Sequence, residues 1–286
     1  MNESISPLKE VIEKDPSFAP AYAGLAAAYA ARSGEEQFDR ADQLANMRVA
    51  ADKAIQLDPL LAEAHDALGM VLARDAQWEQ SEKSFRRAIE IDPGRSESYR
   101  HFTMFLLLPL DRVDEALGQL RTAERNDRLS PRVHYDLGYV LTSARRFDEA
   151  AAYCEKLPSD FPFRGGCLGR ARYGQGRMDE AIQILATAVN QGAPAGDAVR
   201  GFLGYAYARA GHREEAEKLA AAAATPFNQA LTFAGLGDKD RTFDALDRVT
   251  VLGPFRMGRA LTYPEFALLR GDPRVKALRK KVGLPE

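Results

Sequence analysis

The sequence predicts an all-α fold made of stacked helix pairs. Three observations carry that prediction. One phrase returns along the chain, as DRVDEA (111–116), RRFDEA (145–150), GRMDEA (176–181) and GHREEA (211–216). A Leu-Gly pair opens another recurring stretch, at Leu68-Gly69, Leu137-Gly138, Leu168-Gly169 and Leu203-Gly204. Proline stops then keep time with both: KDP (14–16), LDP (57–59) and IDP (91–93), with Pro59 and Pro93 34 residues apart.

Each half of the unit has a physical reading. Leu, Gly and an aromatic or aliphatic residue stand at i, i+1 and i+4, on one face of a helix. A glycine inside a helix costs about 1 kcal/mol, so it marks a place where a neighbouring helix comes close. The second half opens with a short polar turn, often containing glycine. Its acids fall in the first helical turn, where they favour the positive end of the helix dipole. Alanines then allow tight packing. Asp-Pro closes the run, because a residue before proline avoids the α conformation. Neither helix alone can hide its apolar face, whereas stacked pairs can, which produces a solenoid.

The copies follow in order. Near the start, Leu25, Ala26 and Tyr29 supply a first half, and the second half is displaced to Ala51, Ala54 and Pro59. Pro16 and Pro59 are 43 residues apart, and the nine extra residues fall in SGEEQFDRADQ (33–43). The copy at 67–93 is regular, with Leu68, Gly69, Leu72, Ser81, Phe85, Ala88 and Pro93. Leu137, Gly138, Leu141, Ala150, Cys154, Leu157 and Pro162 repeat its offsets. Leu168, Gly169, Ala181, Leu185 and Ala188 do so again, as do Leu203, Gly204, Tyr207, Ala216, Ala220 and Ala223. Between them, Phe102-Thr103 replaces Leu-Gly, LLLPLDRV carries one extra residue, and Pro109 is expected to end its helix early.

Charge and composition exclude several classes. Lys and Arg total 39 and Asp and Glu 41, a net charge of −2 that leaves no basic footprint for nucleic acid. Hydrophobic residues make up 45%, enough for a buried core. No stretch approaches the roughly 18 apolar residues of a membrane span, and MNESISPLKEVIEKDP has no signal-peptide pattern. Two cysteines are too few for a disulfide framework, which points to a reducing compartment, the cytoplasm.

Chemistry-bearing patterns are sparse. His65 and His134 occupy the same place in their copies, where a ring packs between helices; His101 lies on a first helix and His212 in a turn. No pair has metal-ligand spacing. Cys154 and Cys167 stand 13 apart without a CxxC, which argues against zinc or redox chemistry. GQGRMD (174–179) lacks a third glycine and joins two helices, not a strand and a helix. Asp148-Glu149, Asp179-Glu180 and Glu214-Glu215 recur at one repeat position, so they read as helix-start acids, not catalytic pairs. RVKALRKK (274–281) reads as the solvated face of a terminal helix. No enzyme activity, cofactor or metal is expected.

A 34-residue period with Leu-Gly, a small residue, a bulky one, alanine and proline at these offsets resembles the tetratricopeptide repeat. The resemblance covers nearly the whole chain, with copies at 19–61, 62–95, 96–130, 131–161, 162–196 and 197–225, and a shortened one at 226–250. It implies a right-handed α-α superhelix of about seven helix pairs. An orphan helix precedes it (1–17), the solenoid spans 18–250, and a capping segment follows (251–286). The ends, FAPAYAGLAAAYA (18–30) and YPEFALLRGDPRVKALRKKVGLPE (263–286), are similar to tetratricopeptide regions of bacterial proteins in which a winged-helix, kinase or cyclase domain often comes first.

The resemblance also implies a protein or peptide partner held in a concave groove lined by the first helices. Carried over copy by copy, the lining is Glu63, Asp66, Met70 and Arg74; Glu97, Arg100 and Met104; Arg132, Tyr135 and Tyr139; Phe163, Arg170 and Tyr173; then Tyr205 and Arg209. The candidate binding set is Arg100, Met104, Arg132, Tyr135, Tyr139, Arg170, Tyr173, Tyr205 and Arg209. Tyr and Arg favour binding hot spots, and Met adapts to different surfaces. The excess of Arg points to a peptide with acidic character. The chaperone-tail clamp of some relatives is not reproduced, since Met104 stands where that clamp needs Asn. The alternative function is a regulatory or sensory region of a signalling or transcriptional-regulator protein whose effector domain lies outside this chain.

Overall fold

The computed structural model describes residues 5–32, 41–191, 196–250 and 253–285. Most of the insertion expected at 33–43 lies outside the described residues. The chain divides into two compact units, Met1–Leu107 and Leu108–Glu286. All regular structure among the described residues is helical.

The first unit contains α1 (Ile5–Lys14), α2 (Ala19–Arg32), α3 (Ala41–Leu57), α4 (Ala62–Arg74), α5 (Trp78–Ile91) and α6 (Ser96–His101). The displaced second half of the first copy is α3, and its Ala51 and Ala54 are fully buried. Helix α6 runs on into a π-helical stretch, Phe102–Leu107. The extra residue noticed in the sequence is absorbed in these wider turns. The helical run thus ends at Leu107, two residues before Pro109, and is not cut short.

The second unit begins with α7 (Val113–Asn126), α8 (Pro131–Ser143), α9 (Phe147–Glu155), α10 (Arg164–Gly174) and α11 (Met178–Asn190). It continues with α12 (Gly196–Arg209), α13 (Arg213–Ala221), α14 (Pro226–Gly235) and α15 (Lys239–Val249). Helix α16 (Pro254–Leu261), a 3-10 segment (Pro264–Leu269) and α17 (Pro273–Lys281) complete it.

The repeated phrases have visible causes. A Cβ built on Gly69 would lie 2.8 Å from the Phe85 ring, and one on Gly169 would lie 2.5 Å from Leu185 Cγ. At these two positions the Leu-Gly glycine is the socket for the bulky residue of the following helix, whereas Gly204 faces Thr232 of α14. The polar turn is a helix stop in the left-handed conformation, at Ala76, Asp111, Arg145, Gly176, Gly211 and Gly237. Gln77 N–H reaches back to Leu72 O, and Arg146 N–H to Leu141 O, as in a Schellman cap. At the Asp-Pro end, the aspartate accepts from the backbone two residues on, as Asp58 does from Leu60 and Asp92 from Gly94. A ring in the next helix then fastens the same turn: His65 Nε2 lies 2.9 Å from Pro59 O, and Tyr99 donates to Pro93 O at 3.0 Å. His65 is thus a structural residue.

The cysteines require a correction. They are not separate thiols: Cys154, at the end of α9, and Cys167, in α10, form a disulfide with a Cα–Cα separation of 5.6 Å. A Cβ on Gly138 would meet both sulfurs, at 2.8 and 2.9 Å. Cys154, at the bulky position of α9, and Cys167, on the first helix of the next pair, thus meet at one glycine socket. The basic run of α17 has partners as well. Arg274 pairs with Asp240 at 2.7 Å and Lys281 with Asp247 at 2.6 Å, both acids on α15. No helix among the described residues is long and apolar enough to cross a membrane.

Candidate peptide-binding groove

In the second unit the first helices of successive pairs, α8, α10, α12 and α14, turn one face toward the C-terminal segment. That face carries most of the sequence-predicted lining. Its centre is Arg170, only 3% exposed. Its guanidinium holds Glu265 by two bonds, Nε to Oε1 at 2.7 Å and Nη2 to Oε2 at 3.0 Å. The Tyr173 hydroxyl also donates to Glu265. Glu265 itself is 2% exposed and belongs to the 3-10 segment.

Rings wall the ion pair. The Arg170 guanidinium lies 4.2 Å from the Tyr263 ring centre, 4.5 Å from Phe202 and 5.4 Å from Tyr139. Tyr139 donates to the Tyr263 hydroxyl at 2.6 Å. Phe227 of α14 touches both Tyr263 and Phe266 edge-on. Burial works against the charge of Arg170, but Glu265 outweighs it and raises its pKa well above the usual value. Burial lifts the phenols of Tyr139 and Tyr173 well above theirs, so both remain hydrogen-bond donors.

The rest of the candidate set is more open or lies elsewhere. Tyr135 is half-buried against Phe163, with ring centres 5.2 Å apart, and exposed Arg132 lies over both rings. Tyr205 is half-buried, 5.3 Å from the Tyr173 ring, and Arg209 is exposed. Arg100 and Met104, in the first unit, are 8% and 7% exposed.

The first unit has its own charged cluster. Asp66 on α4 accepts from Arg95 at 2.8 Å and contacts His101 Nδ1 at 2.7 Å. Burial pushes the Asp66 carboxyl up, but His101 and Arg95 outweigh it and hold it below the usual value.

Sequence reasoning missed Glu265, Tyr263, Phe266, Phe202 and Phe227. A usable signal existed: YPEF sets an acid between aromatic residues, in a chain whose α10 carries Arg164, Arg170 and Arg172 and no acid of its own. Among the described residues, no group of three or more His, Cys, Asp or Glu side chains is arranged to hold a metal ion.

Comparison with known proteins agrees with this architecture. The sequence profile described as "Tetratricopeptide repeat" matches residues 106–164 and 168–241. A type IV pilus assembly protein, PilF of Pseudomonas aeruginosa, is 29% identical over 139 residues, covering 48% of this chain and 51% of that protein. The match thus spans about half of that relative's length. A solved structure of Pseudomonas aeruginosa pilF superposes with a TM-score of 0.56 at 22% identity, over 73% of this chain and 91% of that one. PilW, a type IV pilus biogenesis factor, gives 0.57 at 16% identity, over 78% and 98%. The Cut9–Hcn1 structure of the APC/C gives 0.65 at 17% identity, over 97% and 52%. At these identities the structures speak to the fold alone. The profile match, the glycine sockets and the recurring left-handed turns together show tetratricopeptide repeats over residues 106–164 and 168–241, in a chain whose described elements are all helical.

Proposed function

We propose that this protein is a non-catalytic interaction scaffold. It holds an acid-bearing peptide or helix of a partner against α8, α10 and α12. Arg132, Tyr135, Tyr139, Arg170, Tyr173, Tyr205 and Arg209 belong to this surface, and the remaining candidates, Arg100 and Met104, lie buried in the first unit. One observation carries the reading: Arg170 and Tyr173 already grip a carboxylate inside a box of rings, which is the chemistry that recognises such a peptide. The names of two relatives place them in type IV pilus assembly and biogenesis, and a multi-protein assembly of that kind is one setting for such a scaffold.

The test is photo-crosslinking in the native cell. A photoreactive amino acid replaces Arg132, Tyr205 or Arg209, with exposed Thr187 on α11 as control. A shared protein adduct at the first three and none at Thr187 is expected. Adducts at Thr187 alone, or at none of the three, would overturn the reading.

A second reading, a regulatory region that responds to a segment of its own protein, is favoured by the same face holding residues 263–266. An in-frame winged-helix or kinase sequence upstream of Met1 would support it. The compartment is open to a direct test. The cytoplasmic expectation rests on a cysteine count too low for a disulfide framework, whereas the Cys154–Cys167 bond favours an oxidising compartment. Maleimide trapping in denaturant at harvest, needed because both sulfurs are buried, labels both cysteines if they are reduced thiols, as in the cytoplasm, and neither in an oxidising compartment.

A further inference from the structure

Residues 263–266 meet α8, α10, α12 and α14 through side chains and one buried carboxylate, as a ligand would, while Gly258 of α16 packs against the Pro109 backbone. We infer that residues 254–269 are an intramolecular ligand. The partner presents a peptide with Glu or Asp between aromatic residues, as Glu265 stands between Tyr263 and Phe266, and binds by displacing this segment. The inference rests on the groove reading above and names both its ligand class and its control.

Three observations carry it. The first is chemistry. A segment that served only to cap the array would be held at least as well by apolar side chains, because desolvation offsets most of what a buried ion pair gains. Here the cap instead places Glu265 on Arg170 and Tyr173. The contact therefore selects a sequence more than it adds stability. The second is attachment. The segment is bracketed by Gly253 and Gly271, both at positive φ, and is kinked at Phe266. Beyond it, α17 is tied to α15 by the ion pairs of Arg274 and Lys281, whose basic side chains are each about half exposed. Such surface pairs contribute little, so α17 is held mainly by Leu278 and Leu284 and by Arg274 over the Phe243 ring, 4.0 Å from its centre. The third is charge complementarity. Exposed Arg132 and Arg209 stand on the same row of helices as Arg170. A partner with a further acid outside the aromatic–acid–aromatic core gains an attraction there, while the resident run RALTYPEFALLR (259–270) is flanked by Arg259 and Arg270.

The experiment uses the full chain and a fluorescein-labelled peptide, TYPEFALL, copied from 262–269. Fluorescence anisotropy measures its binding to the parent protein and to a Glu265→Gln protein that retains a cooperative helical melt. The Glu265→Gln protein should bind the peptide at least tenfold more tightly, because its own segment competes less well. The peptide carrying Glu265→Gln should bind that protein at least tenfold more weakly than the parent peptide. Equal affinity of the two proteins, or binding by neither, would overturn the inference. A dimer that forms by exchange of the segment between two copies, seen by light scattering without peptide, would also overturn it.

Hydrogen exchange on the unaltered protein decides the matter if the variant does not fold. Amides at 255–269 should exchange at least tenfold faster than those of α8 and α10. Exchange only together with α8 and α10 would make the segment part of the core and sink the proposal. Crosslinks from Arg132, Tyr205 and Arg209 would survive that outcome, so the two readings fail separately.

Discussion

Each unit buries a charge on a first helix, and the two are neutralised in opposite ways. Asp66 is met by Arg95 and His101, 29 and 35 residues away, so the next repeat supplies its partners. Arg170 is met by Glu265, 95 residues away, from outside the regular repeats. A partner one repeat away is built into the array, whereas a partner three repeats away depends on the last segment folding back. The first kind of pair is structural by default. The second kind can be exchanged for a partner's acid.

Arg170→Met should have the largest effect. It leaves Glu265 buried without a counter-charge, which costs about 3–5 kcal/mol. Adding Glu265→Met should recover all but about 1 kcal/mol, the residue of the Tyr173 hydrogen bond. Urea unfolding of the single and double variants measures both, and no recovery would mean that the rings, not the ion pair, hold the segment.

Next comes the local cross-link in the second unit. Reducing Cys154–Cys167, which closes a short loop, should cost about 3 kcal/mol, seen as a lower urea midpoint in dithiothreitol. A variant with both cysteines replaced by serine should be insensitive to the reductant.

Asp66→Asn should cost about 2 kcal/mol, the value of hydrogen bonds to a charged group. Arg95 keeps Glu63 at 3.4 Å and Ser98 at 3.0 Å, which limits the loss. Because the folded state lowers the Asp66 pKa, its stabilisation is fully present above the unfolded value, about 4, and is lost as pH falls through the lower folded value. Acid unfolding of the Asp66→Asn protein should lack that component.

The smallest effect should be the same in both units. Ala76 and Arg145 sit at φ 56° and 61° in turns where other copies use glycine. Replacing either with glycine should stabilise by about 1 kcal/mol, and Asp111→Gly by less, since Asp tolerates this conformation better. Unequal gains at Ala76 and Arg145 would show that the turn is not the repeated local device described here.

Much of this was legible in the sequence. The Leu-Gly socket, the acids at helix starts and the Asp-Pro stops are local patterns, and each maps onto a contact spanning one repeat or less. The π-helical stretch was visible only as an extra residue in LLLPLDRV, because the same insertion can widen a helix or break it. The cysteine pair was misread because a spacing of 13 carries no signal unless the shared glycine socket at Gly138 is known. Repeat position alone marks the candidate groove residues. What covers Tyr139, Arg170 and Tyr173 was not in that pattern.

The sequence by itself determined the helix pairs, their period and the faces they present, because a 3.6-residue periodicity and short-range packing repeat in every copy. Only the tertiary structure decided that Glu265, among 41 acidic residues, sits on Arg170. No local preference distinguishes one carboxylate from another at such a separation. The choice follows from where the folded array leaves a buried cation and which segment can reach it.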